Sequence, residues 1–295
     1  MARGGGVRSR ILPAALLALA CTVTACGADP SEPDARASYG PGLPSPALAW
    51  DTSPESIAAL GDSITTGYDS CSLLADCPEA SWATGTRAGV SSLADRLLPQ
   101  REGNAWNYAV AGATMADLPG QAARAAAHDP ELVTVLVGAN DACAPQLEAM
   151  TPVDEFRADF TKALTTLREQ SPDTQVYVAS VPDLERLWTI GRDNVLATRV
   201  WEFGVCPTML RDPAATDDAA TERRAQVAER VDAYNTVLRE ACTADALCRY
   251  DGGAVHDYAF TAAEVSPYDW FHPSEQGQAA LADLAHAQVT SAQRP

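Results

Sequence analysis

The stretch Leu132-Val-Thr-Val-Leu-Val137, followed by Gly138-Ala139-Asn140-Asp141, decides the fold. It is short, rich in β-branched residues and nearly continuous in its apolar character. A run of that length without polar alternation predicts a strand covered on both faces, which is the habit of parallel sheets. Working outward, Ser56-Ile-Ala-Ala-Leu60 ends in Gly61-Asp62-Ser63, and Val176-Tyr-Val-Ala-Ser-Val181 ends in Pro182-Asp183. Trp106 to Val110 supplies a fourth run and Cys248-Arg-Tyr250 a fifth. Helical patterns lie between them. Phe156, Phe160, Leu164 and Leu167 share one face, as do Val227, Val231, Tyr234 and Leu238 within Arg223 to Ala241, and Ala279, Leu281, Leu284 and Ala285 near the end. Strand–helix alternation over most of the chain predicts a three-layer α/β/α sandwich, doubly wound about a mostly parallel five-stranded sheet. Leu184 to Thr221 fits no βαβ unit. With Trp188, Trp201, Phe203 and Met209 it reads as an insertion over the strand ends.

The chain has 295 residues, 46% of them hydrophobic and 20% charged, enough for one packed domain plus a leader. Its 21 Lys and Arg stand against 39 Asp and Glu, net −18. Three of the basic residues, Arg3, Arg8 and Arg10, precede Cys26 in a segment without acids. The remainder therefore carries 18 basic and 39 acidic residues, net −21. That balance argues against nucleic acid as a partner and against charge-driven adhesion to anionic lipid.

Residues 1–26 read as an export signal: a basic start, the apolar stretch Ile11 to Ala20, and small residues from Thr22 to Ala25. Val23-Thr-Ala25-Cys26 resembles a bacterial lipobox, in which the cysteine is acylated. The alternative is an ordinary signal peptide cut near Ala25. Residues 27–50, with Pro30, Pro33, Pro41, Pro44 and Pro46, read as a tether, and residues 51–295 as the folded domain. Six cysteines remain beyond the leader. An even number in an exported chain favours disulfides. Cys71–Cys77 and Cys242–Cys248 are each six apart and each close a local loop. Cys143–Cys206 follows by elimination from the 15 pairings that six cysteines allow. A zinc site lacks both a C-x-x-C spacing and a nearby histidine, so no metal is expected.

Chemistry in such folds gathers where strands end. Ser63 stands in a Gly-containing turn at the first such end, Gly112 near the second, Asn140 and Asp141 at the third, and Asp269-Trp-Phe-His272 just before the last helix. Each has an ordinary reading as a turn or cap residue. Asp269, three residues before His272, can reach its imidazole and fix the tautomer. His128, His256 and His286 are the competing histidines. The first and last read as helix-surface residues, and His256 sits nearer a strand end.

Taken together, Gly61-Asp62-Ser63, Gly112, Gly138-x-Asn140-Asp141 and Asp269-x-x-His272 resemble the SGNH, or GDSL-type, hydrolase family over about Ile57 to Ala287. The resemblance implies a flavodoxin-like sandwich and a serine ester hydrolase without cofactor. It makes Ser63 the nucleophile, His272 the base and Asp269 its orienting acid. The N–H groups of Ser63 and Gly112 and the Asn140 amide form the oxyanion hole. Tyr68-Asp-Ser-Cys71 with Cys77-Pro-Glu-Ala-Ser-Trp82, Ser180-Val-Pro-Asp183-Leu and Asp269-Trp-Phe-His-Pro-Ser274 resemble secreted actinobacterial members, and the Pro-Asp and Phe-His-Pro-Ser contexts also resemble a phospholipase B-like branch. That implies small-molecule, lipid or phospholipid acyl esters as substrates and a monomer touching membrane only through an anchor at Cys26. A carbohydrate O-acetylesterase is the rival enzyme. A non-catalytic surface binding protein is the rival of another class, disfavoured because Ser63, Asn140, Asp269 and His272 are all present.

Overall fold

The computed structural model describes residues 50–293. The proposed leader, Cys26 and nearly all of the tether lie outside them. Five strands, β1 (Ile57–Gly61), β2 (Ala105–Asn107), β3 (Leu132–Leu136), β4 (Gln175–Val178) and β5 (Cys248–Tyr250), form one sheet in the order β2-β1-β3-β4-β5. Every pairing is parallel, so the sheet is wholly rather than mostly parallel. The helices are α1 (Ser63–Thr66), α2 (Leu93–Leu97), α3 (Leu118–Ala126), α4 (Ala139–Ala142), α5 (Val153–Gln170), α6 (Leu184–Gly191), α7 (Val195–Trp201), α8 (Pro207–Leu210), α9 (Asp218–Ala244) and α10 (Glu275–Val289).

The period of two along each strand divides the core. Ala58, Leu60, Val133, Val135, Val176 and Val178 face one way and pack with α3, α5 and α9. Ile57, Ala59, Leu132, Leu136 and Tyr177 face the other way, towards α2 and α10. Both faces are therefore apolar, which is why the strands read as unbroken runs.

The run at Trp106–Val110 behaves differently from its apolar sequence. Its regular ladder stops at Asn107, whose Oδ1 accepts the Ala109 N–H. This local turn bends the chain, although Tyr108 and Val110 still donate to Ala59 and Gly61 of β1. The insertion folds as α6, α7 and α8. Asp183 and Asn194 cap the first two through backbone N–H groups of Glu185, Arg186, Leu196 and Ala197.

Three disulfides are formed: Cys71–Cys77, Cys143–Cys206 and Cys242–Cys248. Such bonds persist outside a reducing cytosol. Among the described residues no helix is long and apolar enough to cross a membrane.

Candidate active site

At the C-terminal edge of the sheet, β1 ends at Gly61 under unusual restraint. Its φ is +153°, and a Cβ there would lie 2.3 Å from the Leu136 carbonyl oxygen and 2.7 Å from Thr65 Oγ1. Only glycine fits that turn. The buried Gln121 amide holds the same peptide from both sides, accepting from Gly61 N–H at 2.7 Å and donating to its carbonyl at 2.9 Å. Asp62 then caps α1, its Oδ1 accepting the Ile64 N–H at 2.9 Å. Ser63 is consequently the first residue of α1, where a backbone N–H has no partner within the helix.

Ser63 Oγ lies 2.8 Å from His272 Nε2. On the other side of the ring, Nδ1 is hydrogen-bonded to Asp269 Oδ2. The remaining oxygen of Asp269 accepts the N–H groups of Phe271 at 2.9 Å and His272 at 3.0 Å. Burial works against the Asp269 anion, but the His272 ring and these N–H groups prevail and hold its carboxyl below the usual value. The imidazole is further framed by Tyr68, with ring centroids 5.0 Å apart.

Asn140 enters from α4 behind the turn at Gly138. One N–H of its amide donates to the Ala113 carbonyl at 2.9 Å, joining the Gly112 loop to the end of β3. The Asn140 amide keeps a second N–H, and the Gly112 N–H takes no acceptor among the described residues. The structure thus brings Ser63, His272 and Asp269 into one hydrogen-bonded line and ties Asn140 to the Gly112 loop beside them.

The competing histidines lie elsewhere. His256 Nδ1 is 3.0 Å from the Val181 carbonyl oxygen, and its ring also meets Asn235 and Asp232. His128 lies just past the end of α3 rather than on its surface, stacked on Trp106 and Tyr108. His286 is in α10.

An apolar cleft borders the line. Its walls include Ile64, Ala139, Phe271 and Pro273, which are chain neighbours of Ser63, Asn140 and His272, together with Leu187 and Phe260. Its cavity volume is about 40 Å³. The insertion contributes Leu184, Arg186 and Leu187 to it but none of its tryptophans. Trp201 is instead buried in the core, pressed against Gly191. A wider cavity of about 520 Å³ opens on the other loop, lined by Val110, Gly112, Asp117, Gly120 and Arg124.

Sequence reasoning gave no catalytic role to three buried acids around the line, although Asp62 and Asp141 stand in its motifs. Asp62 is fully buried, and that burial pushes its carboxyl up to about 7 against the pull of the Ile64 N–H and the His272 charge. Burial raises Asp141 to about 6, although its Oδ2 accepts the Met115 N–H at 3.0 Å. Asp69 is the third. Each stands in a Gly-Asp, Asn-Asp or Asp-Ser pair, so each reads as a turn former, and no local pattern distinguishes them.

A hydroxyl bonded to an imidazole that is bonded to a carboxylate, set at the strand ends of a parallel α/β sheet, defines the serine hydrolase class. Within that class, the chain belongs to the GDSL-like lipase/acylhydrolase family, which matches residues 59–280. It is an ester hydrolase. Among solved structures it is similar to two catalytic-mutant structures of Axe2, an acetylxylan esterase from Geobacillus stearothermophilus. One has 17% identity and a TM-score of 0.51, covering 83% of this chain and 99% of that one. The other has 19% identity and a TM-score of 0.50, covering 82% and 97%. LAE5, an α/β hydrolase from the metagenome of Lake Arreo, Spain, has 15% identity and a TM-score of 0.49, covering 82% and 99%. No curated protein sequence matches the chain.

Proposed function

We propose that the protein cleaves acyl esters through an acyl-enzyme formed on Ser63. The observation that carries this is the 2.8 Å contact between Ser63 Oγ and His272 Nε2, with Asp269 behind the ring. His272 takes the hydroxyl proton as Oγ attacks the ester carbonyl, and then returns it to the leaving alcohol. Asp269 fixes the tautomer and stabilises the imidazolium. The oxyanion meets the N–H groups of Ser63 and Gly112 and the second N–H of Asn140, donors typically worth about 3–4 kcal/mol each. No metal or organic cofactor enters this sequence of steps.

The acyl group enters the apolar cleft at Ile64, Leu187 and Phe271, and the alcohol leaves towards the wider cavity beside Gly112. This favours substrates with an aliphatic acyl chain, in keeping with the phospholipase B-like phrases of the sequence. The second reading, a carbohydrate O-acetylesterase, is favoured by the width and polar rim of the alcohol-side cavity and by the fold shared with Axe2. The protein acts outside the cytosol as a monomer, exported by residues 1–26 and attached through a lipid on Cys26. The basic and apolar start of the chain and the three disulfides support export.

Ser63→Ala should reduce ester hydrolysis by several orders of magnitude without unfolding the protein, and a serine-reactive phosphonate should label Ser63 alone. Most of the activity surviving in Ser63→Ala overturns the mechanism. A p-nitrophenyl series from acetate to palmitate separates the two substrates. The acyl reading expects chains longer than acetate to be preferred, with Leu187→Trp lowering kcat/KM for those chains and sparing acetate. A maximum at acetate, with release of acetate from acetylated xylan, establishes the second reading instead.

A further inference from the structure

Behind Asp269 lies a second carboxyl group that the mechanism above does not use. Asp69 follows α1 in the segment that runs into the Cys71–Cys77 loop, and its side chain is wholly buried. A carboxyl oxygen of Asp69, one of Asp269 and a ring nitrogen of His272 all lie within 4.8 Å of one another. Asp69 Oδ1 accepts the Leu74 N–H, while Oδ2 is buried with no donor in reach. A buried carboxylate oxygen facing another carboxylate is costly in every state except one, in which a proton lies between them.

The backbone around Asp69 is built to hold it there. Its φ is +54°, a left-handed conformation that aspartate tolerates better than most residues. Its carbonyl accepts Ser266 Oγ at 2.7 Å, and Ser266 N–H donates to the His272 carbonyl at 2.7 Å. Ser70 Oγ donates to the Pro273 carbonyl at 2.9 Å. The Asp69 turn is therefore stitched to the same loop that carries Asp269 and His272, on both sides of the imidazole.

We propose that Asp69 is a positioning residue: its protonated carboxyl donates to Asp269, and the carboxyl pair, rather than Asp269 alone, aims His272 at Ser63. The groups facing Asp69 are Asp269 and His272 from the loop before α10, and Tyr68 and the Leu74 N–H from its own segment, with Asp76 acting on Tyr68 beyond them. Burial, and then the Asp269 charge, push the Asp69 carboxyl up to about 6, which agrees with a shared proton in mild acid. The inference rests on the Ser63–His272–Asp269 reading, and its main test does not need turnover.

Infrared spectra of the full chain at about pH 5 should contain a protonated-carboxyl band that Asp69→Asn lacks. The wild-type-minus-variant difference isolates it from Asp62 and Asp141, which are protonated there too. An Asp69 that merely caps Leu74 is ionised at that pH and gives no such difference, which overturns the proposal. In kinetics at about pH 5–6, where Asp69 holds its proton, Asp69→Ala should lower kcat about tenfold, a part of the ~10²–10⁴ that general-base catalysis supplies, with KM unchanged. Asp69→Asn, which still donates to Asp269 and still caps Leu74, should restore most of it. An unchanged kcat in Asp69→Ala overturns the proposal, as does loss of the band on adding calcium, which places a cation rather than a proton between the carboxyls. Loss of activity in Ser63→Ala and His272→Ala, measured alongside, keeps failure of this inference distinct from failure of the site.

Discussion

At the scale of single residues, the site is a cluster of carboxyl groups sorted by environment. Asp269 is held ionised by the N–H groups and ring that it accepts from, whereas Asp62, Asp69 and Asp141 have fewer donors than their burial requires. Asp62 shows the consequence for stability. An exposed aspartate in the unfolded chain titrates near 3.9, and burial raises the folded value to about 7. The folded state therefore binds the proton more tightly. The stability that Asp62 contributes is fully present below about pH 4, falls as pH rises towards about 7, and is level above that. Asn at this position keeps the cap on Ile64 through its own Oδ1 and never ionises. Asp62→Asn should gain stability relative to wild type by on the order of 2 kcal/mol between about pH 5 and about pH 7, in urea unfolding at each pH. Parallel stability curves for the two proteins would show that Asp62 is not protonated in the fold.

At the scale of elements, what the sequence shows and what it hides follow from the same physics. The buried strands are legible because both faces are apolar, so β1, β3 and β4 stand out as unbroken runs. Ser63, Asn140 and His272 are legible because each follows a strand end or precedes a helix in a fixed local phrase. The Trp106–Val110 ladder ends early because Asn107 turns its own side chain onto Ala109 N–H, which an apolar count does not see. The insertion is hidden because α6, α7 and α8 are too short for a 3.6-residue period to emerge. Only their caps, Asp183 and Asn194, mark them in advance. Asp69 is hidden for a different reason, since its partner is 200 residues away in the chain. The insertion is fixed at its far end by Cys143–Cys206, where Thr208 Oγ1 also donates to the Ala142 carbonyl at 2.6 Å. This bond spans 63 residues, whereas Cys71–Cys77 spans 6. Loop-closure entropy then predicts that Cys143→Ala/Cys206→Ala costs about 4 kcal/mol of stability and Cys71→Ala/Cys77→Ala about 2. Equal losses in urea unfolding would mean that strain or residual structure, rather than loop length, governs these bonds.

At the scale of the whole molecule, the parallel sheet separates the start of the described chain from the catalytic line. The described chain begins at Trp50, whose Nε1 donates to the carbonyl of Val289, the last residue of α10, at 2.8 Å. Asp51 is bonded to the side chain of Gln175, the first residue of β4. Both contacts lie at the N-terminal edge of the sheet, while Ser63, Asn140 and His272 gather at the C-terminal edge, a strand length of about 16 Å away. On the proposed anchoring through Cys26, the folded domain is therefore held from the edge opposite the cleft. The acidic character of the chain, net −18, adds repulsion from anionic lipid. An anchored molecule on this reading serves esters arriving from outside rather than the bilayer that holds it. Full-length protein attached to anionic vesicles should hydrolyse a soluble p-nitrophenyl ester as fast as the unanchored Cys26→Ser variant. It should show no advantage over that variant on phospholipid of the same vesicles. A large gain in phospholipid hydrolysis on anchoring would show that the cleft faces the membrane, and would reverse this orientation.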